Sequence, residues 1–222
     1  MQNDGEEIFC GGEKIMKRGF LSCFLVVTFL IPINVFAQHP FNLAIKPGIY
    51  SPQSSDLDGF DTGFSGEIAF GYRFNPNLAG EIGAGFFKTH GENTVGGATY
   101  RGQEFDIYVY PITFTLKAIL PYQGWDFYGL AGVGVYIVSG PYHYHHNHDD
   151  NHHDHYDYDA IFGGYLGAGI NYNITPRIFV GAEGKYLWTD KAKLEYGDFG
   201  SHYDIKFKMD GIIATGVIGF RF

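Results

Sequence analysis

From residue 64 to residue 74 the chain alternates with a period of two. Phe64, Gly66, Ile68, Phe70, Tyr72 and Phe74 take one side, and Ser65, Glu67, Ala69, Gly71 and Arg73 the other. Successive side chains of an extended strand point to opposite faces, so this run predicts a β-strand with one apolar and one polar face. Leu78, Ile82, Ala84 and Phe86 repeat the pattern with Glu81 opposite. So do Ile178, Val180, Ala182, Tyr186 and Trp188, opposed by Glu183 and Lys185. The last run is Ile212, Ala214, Gly216, Ile218, Phe220 and Phe222, with Arg221 opposite. Eight strands are predicted, over residues 41–51, 63–75, 78–89, 102–120, 125–142, 159–173, 178–195 and 203–222. In two of them the apolar phase slips. One slip is near Pro111, which cannot donate to a ladder and so predicts a bulge or an end of pairing. The other is near Asp210-Gly211.

The connections alternate in length. Residues 75–77, 121–124 and 174–177 read as tight turns, whereas 52–62, 90–101, 143–158 and 196–202 are longer and polar. Short connections at one end and long ones at the other match a membrane barrel with short periplasmic turns and long external loops. Alternation alone leaves the direction of the apolar face open. A soluble barrel of the lipocalin sort turns it inward around a ligand, and a membrane barrel turns it outward. Several strands exceed the roughly 9–11 residues that a tilted spanning strand needs. Tyr122 and Trp125 stand at a short turn, while Tyr186 and Trp188 lie far up their strand. The two tryptophans would therefore mark opposite interfaces. The fold class expected is all-β: an eight-stranded antiparallel up-and-down transmembrane β-barrel with its apolar side outward.

Composition agrees. Glycine is abundant and Phe and Tyr far outnumber Trp and Met, as suits tight turns and large side chains on strands. A formal net charge of −9 argues against nucleic acid as a partner, since phosphate binding wants a basic surface.

The N-terminal region reads differently. Met16-Lys17-Arg18 is a positive start, residues 19–36 are almost continuously apolar, and Val35-Phe36-Ala37 offers small residues where a signal peptidase reads. Residues 16–37 are expected to be a secretory signal peptide cut after Ala37. A membrane helix is the competing reading, disfavoured by Pro32, Asn34 and the lack of a basic flank. Residues 1–15 carry Asp4, Glu6, Glu7 and Glu13 where a positive segment belongs, and read as an upstream extension before a true start at Met16. Both cysteines, Cys10 and Cys23, precede the cut, so residues 38–222 need no disulfide.

The terminal Gly216-Val217-Ile218-Gly219-Phe220-Arg221-Phe222 resembles the C-terminal signature of outer-membrane proteins, a final aromatic preceded by alternating apolar residues. The segment YPITFTLKAILPYQGWDFYGLAGVGVYIV, residues 110–138, resembles the central hairpin of small outer-membrane barrels of the OmpA, OmpX and OmpW type. The resemblance implies a monomer in the bacterial outer membrane, bathed in its lipid. It also implies recognition of the strand ending at Phe222 by the barrel-assembly machinery. The polar face is then the lumen, which Lys46, Glu67, Arg73, Glu81, Glu104, Asp106, Asp126, Glu183, Lys185 and Arg221 would enter. An eight-stranded barrel is only wide enough for its own side chains. Those charges are therefore expected to pair and plug it, with a gated polar channel as the alternative.

One stretch stands outside the strand pattern. Residues 143–159, HYHHNHDDNHHDHYDYD, consist only of His, Tyr, Asn and Asp. His143, His145, His146 and His148 precede Asp149 and Asp150; His152, His153, Asp154 and His155 follow. Imidazole suits Zn, Cu and Ni, and a zinc site takes about four N/O/S ligands, so these residues are candidate metal ligands for Zn or Ni. No cofactor is required by the rest of the chain. The competing reading is compositional. All four residue types share one codon class, so repeat expansion gives such a stretch without selection for metal. Mild acidification would also turn the loop from negative towards positive.

Three functions follow as expectations. The first is a non-enzymatic structural or surface-interaction barrel, with at most limited passage of small molecules. The second is a surface metal scavenger. The third is an outer-membrane lipid-modifying enzyme, whose deacylase members carry a His-x-Ser. That tripeptide is absent, and Ser201-His202 has the wrong order. No catalytic residue is assigned.

Overall fold

The computed structural model describes residues 39–95, 98–140, 157–198 and 201–222. The signal-peptide and upstream-extension readings lie outside the described residues, and so do the ten His and Asp residues assigned to metal.

Ten strands follow in order: β1 (Phe41–Pro52), β2 (Gly63–Asn75), β3 (Leu78–Val95), β4 (Ala98–Tyr122), β5 (Trp125–Gly140), β6 (Asp157–Asn173), β7 (Ile178–Thr189), β8 (Lys191–Asp198), β9 (Ser201–Lys208) and β10 (Gly211–Arg221). Eight of them close into an antiparallel barrel in the order β1-β10-β7-β6-β5-β4-β3-β2, and β8 and β9 form a separate two-stranded sheet. Closure is made by β1, which pairs β2 on one side and β10 on the other. The turn between Tyr122 and Trp125 uses Gln123 and Gly124, both at positive φ. Two-residue hairpins with that backbone match the right-handed twist of their strands.

The outer surface inverts the rule for soluble proteins. Ile82 is 60% exposed and Phe162 68%, while Lys46 is 1% exposed and Glu183 4%. The apolar face therefore looks outward, to lipid. Rings flank the band. At the short-turn end Phe41 stacks on Phe70 and Phe222, and Trp125 tilts against Tyr172. At the other end Tyr186 meets Trp188. On β6 the partner of Trp125 is Tyr172 and the partner of Trp188 is Gly164, eight residues away. That spacing is about 27 Å along the strand. At the usual tilt it corresponds to about 20 Å of depth, near the height of a lipid-facing band.

The structure corrects three sequence expectations. The predicted strands 178–195 and 203–222 are each split, into β7 and β8 and into β9 and β10. The predicted loop 90–101 is mostly strand. There β3 and β4 run on to the Val95–Ala98 pair, with a register shift between Glu92 and Thr94.

The third correction concerns the phase slips. No bulge forms at Pro111; instead its pairing to β3 is interrupted there, the other outcome expected of a residue without an N–H. The pairs Ala84–Ile112 and Phe87–Val109 keep one register with a gap between them, and pairing to β5 is unbroken through Pro111. From Ile107 to Lys117 the odd positions of β4 stay inward: Ile107, Val109, Thr113, Thr115 and Lys117 are all buried. What changes is the surroundings. Below Pro111 the outside is lipid, so Ile112, Phe114 and Leu116 point out. Above it the outside is water, so the apolar residues turn inward. Asp106, expected in the lumen, consequently sits on the outer face beside Lys88 and His90. The same holds at the second slip, where Phe207, Met209, Gly211 and Ile213 are all buried across the break. The chain does slip at Asp190. Leu187 and Thr189 face inward before it, and Ala192 does so after it.

Candidate functional site

The barrel interior is where function as a channel would reside, and it has two storeys. The lower one is ionic. Lys46 on β1 reaches Glu67 and Glu81 at 2.9 Å each and Glu183 at 3.5 Å. Lys117 on β4 holds Glu81 at 2.9 Å and Glu183 at 3.0 Å. Lys185 on β7 holds Glu67 at 2.6 Å. Three lysines thus meet three glutamates in a layer without net charge. Each carboxylate has at least two ammonium partners, the condition under which buried ions are tolerated. Aromatic rings complete the layer. Lys117 lies over the Tyr128 ring at 4.5 Å and Lys185 over Tyr165 at 5.0 Å. Inward glycines make room for those rings: a Cβ on Gly132 would strike Tyr165, and one on Gly169 would strike Tyr128. Thr115 and Tyr165 share a hydroxyl hydrogen bond of 2.5 Å.

Nearer the short turns, Asp126 receives Arg73 at 3.1 Å and Arg221 at 3.0 Å, and Arg73 also donates to the Pro76 carbonyl at 2.6 Å. Arg221 lies over the Phe179 ring. The expected lumen residues Lys46, Glu67, Arg73, Glu81, Asp126, Glu183, Lys185 and Arg221 are therefore brought together. Asp106 is not, and the Glu104 side chain lies outside the described set. Sequence reasoning missed Lys117. Its signal was there, since it shares the phase of Thr113 and Thr115 in an otherwise apolar strand.

The upper storey is a core of soluble-protein type. Tyr50, Phe87, Val109, Tyr136, Val138 and Leu187 pack inside the wall. The β8–β9 hairpin closes it from above with Ala192 and Phe207, joined by Met209 and by Leu57 from a short 3-10 turn. Its base is latched. The Thr189 amide donates to Asp210 at 2.8 Å, the Met209 amide to the Thr189 hydroxyl at 2.8 Å, and the Tyr50 hydroxyl to the Met209 carbonyl. Among the described residues, cavities of about 20 and 30 Å³ lie one against Ser65, Thr113 and Lys185 and one against Arg221, Asn171 and Lys117. Each is of water size.

On the outer face above the lipid band, Asp106 receives Lys88 at 3.3 Å and lies 2.9 Å from His90 Nδ1. Burial acts to raise the Asp106 carboxyl, but the hydrogen bonds from His90 and Lys88 outweigh it and hold it below the usual carboxylate range. Among the described residues no group of three or more His, Cys, Asp or Glu is placed to hold a metal.

Comparison with known proteins gives one family and a set of folds. The family described as outer membrane protein beta-barrel domain matches residues 23–208. Neisserial surface protein A is similar in structure, with a TM-score of 0.58 at 18% identity, covering 82% of this chain and 97% of that one. The outer membrane protein OprG from Pseudomonas aeruginosa has a TM-score of 0.58 at 17% identity, covering 85% and 99%. A major outer membrane protein from Thermus thermophilus has a TM-score of 0.53 at 18% identity, covering 83% and 100%. A comparison with curated protein sequences finds no significant match.

Proposed function

Because the chain belongs to the outer membrane protein beta-barrel domain family and lies in the bacterial outer membrane, we propose that it is a non-enzymatic surface barrel whose lumen does not conduct. The observation that carries this is the filled interior, with a charge-balanced Lys/Glu layer below and an apolar core under a latched hairpin above. A barrel so filled has its outward parts left for work. These are the extended β3–β4 hairpin, the β8–β9 cap and the segment between β5 and β6. The lack of a His-x-Ser in the sequence speaks against the deacylase chemistry. The chain acts as a monomer in outer-membrane lipid, and β10, followed by Phe222, which exchanges hydrogen bonds with Phe41, is the strand offered to the assembly machinery. Single-channel recording in planar bilayers tests the closed lumen. Purified protein should leave the bilayer silent at neutral pH, and regular conductance steps would refute the reading.

A second role rests on the β5–β6 connection. Its His143, His145, His146, His148, Asp149, Asp150, His152, His153, Asp154 and His155 offer enough nitrogen and oxygen donors to capture Zn or Ni at the cell surface. Titration calorimetry of the full chain with Zn(II) and Ni(II) should show heat that disappears when residues 143–155 are deleted. Equal heats from both proteins would remove the loop from the account.

A further inference from the structure

The β8–β9 hairpin carries four lysines on one face. In its ladder Lys191 stands opposite Lys208, and Lys193 opposite Lys206. Between them Ala192 and Phe207, also opposite each other, point to the other side and are fully buried in the upper core. Burial of that pair fixes which way the lysines face. Lys191, Lys193 and Lys206 are exposed and Lys208 half-buried. Like charges directly opposite in a ladder destabilise it, and here two such pairs are adjacent.

None of the four forms an ion pair among the described side chains, and the next pair on the same face, Glu195 opposite Asp204, lies farther along the hairpin from the barrel. Every other described lysine has an acidic partner: Lys46, Lys88, Lys117 and Lys185 all form ion pairs. Two acids beside the hairpin bond its backbone. Asp159 accepts from the Lys193 amide at 2.6 Å and Asp56 from the Lys208 amide at 3.2 Å. These bonds hold the hairpin in place. In a chain of net charge −9, a patch of four such cations is not a by-product of general basicity.

Its height identifies the occupant. Lys191 follows Trp188, the outer-interface ring, by three residues, which is about 10 Å along a strand. That is the level of the headgroup layer, and lysine stems reach back towards it. We propose that the outer face of this hairpin binds phosphorylated lipid headgroups of the surrounding leaflet, with Lys191, Lys193, Lys206 and Lys208 supplying the charge. Basic residues beside a membrane gain about 1 kcal/mol each from anionic lipid, which corresponds to about fivefold in affinity per lysine.

Trp188 is a built-in reporter. In a Trp125→Phe background, its quenching by brominated phosphatidic acid is compared with quenching by brominated phosphatidylcholine in mixed vesicles. A preference of about 25-fold or more for phosphatidic acid is expected from the lysine increments. It should fall about fivefold for each Lys→Gln change at Lys193 and Lys206, survive Lys→Arg, and weaken at high salt. In the converse Trp188→Phe background, Trp125 at the short-turn end should report no preference. A flat preference at Trp188 overturns the proposal. So does soluble polyphosphate binding the chain while the lipids are not discriminated. In pure phosphatidylcholine the Lys193→Gln/Lys206→Gln variant should unfold no earlier than the parent, because it removes a repulsive pair. Earlier unfolding would make the lysines structural and overturn the assignment.

Discussion

Replacing Lys46 by Met tests the interior layer directly. The lysine is 1% exposed and touches three glutamates, so the change removes one of three cations and leaves two lysines facing three glutamates. Breaking a buried ion network by deleting one partner costs about 3–5 kcal/mol, because it leaves charge uncompensated. The geometry points to the lower end. Glu67 keeps Lys185 at 2.6 Å, Glu81 keeps Lys117 at 2.9 Å and Glu183 keeps Lys117 at 3.0 Å. No carboxylate is orphaned; the layer merely gains one net negative charge. A loss of about 3 kcal/mol, roughly a hundredfold in the folding equilibrium, is therefore expected. Urea unfolding from phosphatidylcholine vesicles, followed by tryptophan fluorescence, measures it. Lys46→Met/Glu67→Gln restores balance, with two lysines and two glutamates, and should recover at least half of the loss despite removing a further ion pair. If the single variant lies within about 0.5 kcal/mol of the parent, or the double variant is the sum of its parts, the layer is not a coupled charge network.

Two further outcomes follow from packing and depth. Gly132→Ala places a methyl where Tyr165 lies and should cost about 1–3 kcal/mol by overpacking. Gly184→Ala meets nothing within 4 Å and should be near neutral, so equal effects in the same vesicle assay would contradict the assigned faces. Both tryptophans lie at the edges of the lipid band, so bromines near the headgroups should quench Trp125 and Trp188 more than bromines at the chain ends. Stronger quenching from the bilayer centre would misplace the band.

How far the sequence anticipated this follows from what each strand faces. Where lipid lay outside and charge inside, period-two reading placed Glu67, Glu81, Glu183 and Lys185 correctly. It failed where the outer solvent changed. The inversion at Pro111 looks like a backbone slip, because a pattern reports polarity and not direction, and Asp106 was misplaced for that reason. The break at Asp190 left no such mark. Lys191 and Lys193 continue an apparently polar face, and only the burial of Ala192 reveals the turn of phase. Lys117 was overlooked because a lone cation among apolar neighbours draws less notice than an acid and base in register. The hairpin cap could not be foreseen, since its contacts join Phe207 to Tyr50 and Leu57, far apart in the chain.

The six members of the Lys/Glu layer come from β1, β2, β3, β4 and β7. A sheet inserted but not yet curled shut would hold these ammonium and carboxylate groups apart within hydrocarbon, where isolated ions are prohibitive. Partly zipped forms are thereby penalised. The last seam, β1 against β10, should form together with the neutral layer, so that insertion and closure make one cooperative event.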